Sequence, residues 1–137
     1  TALLLSALGR ADSLPIQPGK WQARVTSKLL PYAPQPQTQT RVQCIRDPHF
    51  DPASMLTNYG GFNCRVNRAA RAGNTLTWRM DCRSAVMPQM SYSGVGTFTA
   101  ESTREGRGTM KINMSMPGMG PGIMQFDDVA TRIGTCS

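Results

Sequence analysis

Five methionines, Met110, Met114, Met116, Met119 and Met124, fall within fifteen positions of a 137-residue chain that holds nine. Thioethers are soft ligands that favour Cu(I). Met116 and Met119, which flank Pro117-Gly118, are the candidate metal ligands, because a Pro/Gly loop can present them. Stretch 114–124 is thus one candidate site for Cu(I) or a small ligand, and no other cofactor is expected. Periodicity argues for packing instead. Met110, Ile112, Met114 and Met116 share one strand face, opposite Thr109, Lys111, Asn113 and Ser115. Adaptable side chains on one face are what a core strand uses to fill gaps. His49, the sole histidine, is far away in sequence and supplies no second ligand type.

Carboxylates form the next cluster. Asp47 and Asp51 flank His49, and Asp127 adjoins Asp128. A carboxylate beside an imidazole can move protons. No Ser or Cys nucleophile motif accompanies this one, and both Asp47 and Asp51 precede proline, where Asp serves as a turn or cap residue. Asp127-Asp128 is read as an edge, a bulge or an Arg-paired site. No catalytic residue is assigned, and no enzyme is expected.

Charge is the third feature. Lys and Arg number 15 against 8 Asp and Glu, a formal charge of +7. Arg24, Lys28, Arg41, Arg65, Arg79 and Arg83 fall on the polar side of alternating segments, as does Lys111, while Arg68 and Arg71 form a cluster at a hairpin end. The first six are the candidate partner-binding residues. A basic face attracts nucleic acid, anionic lipid or an acidic partner. Nucleic acid is set aside, because both tryptophans fall on the apolar side and leave no aromatic interleaving. Interfaces favour Arg over Lys, which points to an envelope protein or an anionic membrane surface.

The elements that must carry these residues alternate with period two. Trp21, Ala23, Val25, Ser27 and Leu29 oppose Gln22, Arg24, Thr26 and Lys28; Leu76, Trp78, Met80 and Cys82 oppose Thr77, Arg79, Asp81 and Arg83. Such alternation marks strands buried on one side. Thr38, Thr40, Val42 and Cys44 alternate with Gln39, Arg41 and Gln43, after a connection made rigid by Pro31, Pro34 and Pro36. A further run starts at Phe62, Cys64 and Val66, and its phase fades from Arg68 to Ala72 before the Gly73-Asn74 turn. Strands over 90–100 and 109–116, a Pro/Gly loop over 116–122 and a less regular last strand over 123–134 follow. One short helical turn is expected after Asp51, an N-cap with Pro52 behind it. About seven strands joined by short turns predict an all-β fold, an antiparallel β-sandwich or small β-barrel.

Cysteine usage and the first residues bear on compartment. Cys44, Cys64, Cys82 and Cys136 are even in number and contain no C-x-x-C pair, which suits two disulfides better than zinc. Four cysteines allow three pairings. Cys44–Cys64 and Cys82–Cys136 are favoured, the first closing a local excursion and the second tying down the C-terminus. Residues 1–11 hold an apolar run with small residues at Ala7, Gly9 and Ala11, read as the remnant of a secretory signal or an N-terminal apolar segment, and 12–137 as a single β domain. Both features place the protein in the periplasm or at the cell surface of a Gram-negative bacterium.

The blocks P-G-K-W at 18–21, Q-C at 43–44, C-R-V at 64–66, G-N-T-L-T-W-R-M-D-C at 73–82, M-S-M-P-G-M at 114–119 and R-I-G-T-C at 132–136 recur in order. In that order they resemble the bacterial domain-of-unknown-function family 3617, small exported proteins. The resemblance implies export, a β-rich fold and paired cysteines, and it carries over no catalytic residue. The expected function is a non-catalytic exported binding or accessory protein that docks through its Arg-rich face. The alternative is a carrier of Cu(I) or a small ligand at the Met-rich loop.

Overall fold

Strand alternation builds almost the whole molecule. A computed structural model describes residues 13–52, 58–59, 62–84, 90–116, 118 and 120–136. Its strands are β1 (Leu14–Pro15), β2 (Gly19–Leu30), β3 (Ala33–Ile45), β4 (His49–Phe50), β5 (Asn58–Tyr59), β6 (Phe62–Ala72), β7 (Thr75–Ser84), β8 (Ser91–Ala100), β9 (Glu105–Met116) and β10 (Gly120–Gly134). Seven long strands form one antiparallel sheet in the order β3-β2-β10-β9-β8-β7-β6, with two-residue β5 added beyond β6. The edges do not meet, so the all-β fold is no closed barrel. β1 and β4 pair separately, Leu14 opposite Phe50. Residues 1–11 and the helical turn expected after Asp51 lie outside the described residues.

The sheet curls over its apolar face in a sandwich-like way. Residues of β3 and of β7 line one groove, although five strand spacings separate them. A flat sheet would hold them about 24 Å apart at roughly 4.8 Å per spacing. The curl gives an inner, concave face and an outer, convex one.

Leu76, Trp78, Met80 and Cys82 point inward and are buried, as their alternation predicts. Leu76, Trp78 and Phe98 join Leu14 in one core cluster, and Met80, Cys82 and Tyr92 form a second. Met110 packs against both clusters and Met114 against the second, which is the packing role that periodicity assigns to them. The aromatic rings need glycines beneath them. A β-carbon on Gly96 would stand 2.3 Å from Trp78, and one on Gly106 2.2 Å from Phe98. The rings therefore lie against bare backbone on the neighbouring strands.

Two expectations about the strands are corrected. Pro34 and Pro36 belong to β3 itself, not to a connection, because only Pro31 and Tyr32 separate it from β2. β3 is an edge strand, where a residue without an N–H is tolerated. The last strand starts earlier than expected: β10 begins at Gly120, inside the expected loop, and pairs with both β2 and β9. Gly118 and Gly120, at φ of 80° and 82°, make the tight reversal that lets it start there.

The disulfides differ from the favoured pairing. They join Cys44 to Cys136 and Cys64 to Cys82. Cys64 and Cys82 stand directly opposite each other in the β6–β7 hairpin, with Cα atoms 4.0 Å apart. Their direct opposition brings the two sulfurs together across the hairpin, which leaves Cys44 for Cys136.

Candidate binding surfaces

The convex face collects cations through strand register. Arg68 on β6 lies opposite Arg79 on β7, and the same level continues through Val95, Lys111 and Gln125 to Lys28 on β2. One row across six strands thus holds four cations. None of the four pairs with a carboxylate among the described residues. Directly opposed like charges cost stability unless a counter-charge is near. Val95, in the middle of the row, is 49% exposed.

Arg24 lies on the same face, in a row that includes Val129, Arg107 and Thr99. Arg107 is paired, its Nε 2.8 Å from Glu101 Oε1. Arg65 and Arg83 flank Asp81 in a trough of about 750 Å³ that Ser91, Asn113, Tyr92 and Met114 also line. Asp81 also accepts a hydrogen bond from Asn67 Nδ2. Of the six residues assigned to a partner-binding face, Arg24, Lys28, Arg65, Arg79 and Arg83 share this surface. Arg68 joins them, which the sequence hid: Asn67 is an extra residue between Val66 and Arg68, and the alternation loses phase there.

Arg41 is the exception and a correction. It lines the concave groove with Gln39 and Gln43, while Val42, on the other face of β3, is 55% exposed. Alternation gives two faces without saying which one turns inward. Polar side chains are tolerated on the inner face here because β3 lies at the rim of an open groove.

That groove has a volume of about 560 Å³. Trp21, Val25, Phe50, Trp78, Phe98, Met110 and Phe126 give it apolar walls, and Asp128 lies among them. Phe50 stacks on Phe98 at 4.6 Å and tilts against Trp78 at 6.0 Å. Trp21 Nε1 donates to Gln17 O at 2.9 Å. Two buried polar atoms have no hydrogen-bond partner there among the described residues: Asp128 Oδ1 and Trp78 Nε1. Burial also pushes the Asp128 carboxyl above its ordinary pKa, because the charged form is desolvated.

The remaining candidates are dispersed. Asp127 and Asp128 point to opposite faces, since successive strand residues alternate, so they cannot grip one ion together. Asp47 Oδ1 accepts the His49 N–H at 3.0 Å, the turn role expected of Asp before proline. Met116 ends β9, and its side chain and Met119 lie outside the described residues.

The fold and these surfaces define a curled, disulfide-stapled antiparallel β protein with a basic convex face and an apolar concave groove. The chain belongs to the family described as "Protein of unknown function (DUF3617)", whose model matches residues 16–136. Comparison with curated proteins and with solved structures gives no match. The two disulfides are consistent with an extracytoplasmic protein.

Proposed function

We propose that this protein is a non-catalytic, exported binding module of the bacterial envelope that docks through its convex basic face on an anionic lipid surface. The row Arg68–Arg79–Lys111–Lys28 carries this reading. Its cations lack carboxylate partners among the described residues, and anionic headgroups would relieve the Arg68–Arg79 opposition. Exposed Val95 adds an apolar contact at the centre of the row. The apolar segment at 2–8 and the disulfides support export, to the periplasm or the outer surface of a Gram-negative cell.

Sedimentation with vesicles tests the proposal. The protein is expected to bind phosphatidylglycerol vesicles at low salt, to leave neutral phosphatidylcholine vesicles unbound, and to release as ionic strength rises. Each cation near such a surface contributes about 1 kcal/mol, so Arg79→Gln with Lys111→Gln weakens binding roughly thirtyfold. Equal binding to both vesicle types, or binding indifferent to salt, would overturn it.

A further inference from the structure

The concave groove carries a ligand chemistry that is independent of the convex face. Asp128 sits on β10 with Val25 directly opposite on β2 and Gly108 directly opposite on β9, so neither facing residue offers it a side-chain donor or a cation. The next inner-face positions outward, Gln39 on β3 and Phe98 on β8, are uncharged. Arg41, the cation of the groove, is exposed and forms no ion pair with it. A carboxylate oxygen is therefore buried without a partner beside aromatic walls.

We infer that the groove binds an organic cation, a primary ammonium carried on an apolar body, with its N–H groups donated to Asp128 and its body against the aromatic walls. Complementarity supplies the argument. Asp128 lines the groove and is half-buried, and a carboxylate held beside aromatic walls favours an ammonium, which brings both a donor and the opposite charge. Ring faces attract cations, and Trp21, Trp78 and Phe126 line the same space. An anionic head entering the same space would place like charge beside Asp128. A neutral apolar molecule would desolvate the carboxylate further and give nothing back. Arg41, at the hydrated rim, leaves room for an acidic substituent on the same ligand.

Both tryptophans of the chain line the groove, so intrinsic fluorescence reports on occupancy. The test is a titration of the intact protein with octylammonium, octanoate and octanol at neutral pH. Octylammonium is expected to saturate the signal at least about tenfold more tightly than the other two. Asp128→Asn, which keeps the shape and removes the charge, is expected to abolish that preference. If this variant does not fold, the ranking of the three head groups on the unaltered protein decides alone. Octanoate binding as tightly as octylammonium, a preference that survives Asp128→Asn, or no saturable binding by any of the three would each overturn the inference.

Discussion

The indole of Trp78 lies against Gly96 on the adjacent strand, so close that a β-carbon there would stand 2.3 Å from Trp78 Cε2. Neither partner can yield easily, since Trp78 is core and Gly96 is held in the sheet between β7 and β9. Gly96→Ala is therefore expected to lower stability by about 1–3 kcal/mol through overpacking. A β-carbon on Gly134 meets nothing within 4 Å, so Gly134→Ala should stay within roughly 1 kcal/mol of the unaltered protein. Urea unfolding of the two variants, compared at equal m, separates these effects.

The two disulfides should differ in weight. Cys64–Cys82 spans 18 positions and Cys44–Cys136 spans 92. Restriction of the unfolded chain gives about 3 kcal/mol for the shorter loop and about 4.5 kcal/mol for the longer. Paired Cys→Ala replacements at 44 and 136 should thus destabilise more than those at 64 and 82. Thermal melts of the two double variants check the order, and peptide mapping of the oxidised protein checks the pairing.

Asp128 predicts a pH dependence of definite sign. Its folded-state pKa is raised by burial above the ordinary value of 3.8, so the native state holds its proton more firmly than the unfolded chain. Stability from this group therefore increases as pH falls through the raised pKa, and the gain is complete once pH drops below the unfolded value. Asp128→Asn should be more stable than the parent at neutral pH, with the difference shrinking in acid. A series of unfolding curves across that range reads both the sign and the window. A variant that is less stable at neutral pH would show that a partner satisfies the carboxylate.

Arg68 and Arg79 give a prediction in the opposite sense to most surface changes. Replacing either with Gln removes a like-charge opposition and should raise stability by about 0.2–1 kcal/mol at low ionic strength. The gain should fade as salt screens the pair. Melting temperatures at low and high salt test this without any ligand.

Much of the sheet is legible from alternation alone, because β2, β7 and β9 each keep one phase from end to end. β3 shows where alternation stops being informative. Thr38, Thr40, Val42 and Cys44 look like the better inward set, yet the groove turns Gln39, Arg41 and Gln43 inward. The disulfide pairing was hidden for a related reason. The turn at Gly73-Asn74, with Ala72 opposite Thr75, would by simple counting set Arg65 opposite Cys82. The extra residue at Asn67 shifts the register by one and brings Cys64 there instead. A fading phase from Arg68 to Ala72 is the trace that this bulge leaves in the sequence, and nothing in it says where the extra residue lies. The basic row was half legible: the outward side of each segment can be read, but the alignment of Arg68, Arg79, Lys111 and Lys28 at one level depends on register between strands.

The unclosed sheet leaves one side of β3 unpaired among the described residues, and Pro34 and Pro36 stand where its pairing with β2 skips from Gln37 to Ala33. A strand from another molecule that approached this stretch would find no amide hydrogen at either proline. An open groove needs a free rim, and a free rim invites chain-to-chain stacking. The two prolines deter that stacking along part of the rim, so the edge beside the groove is poorly suited to growth into fibrils.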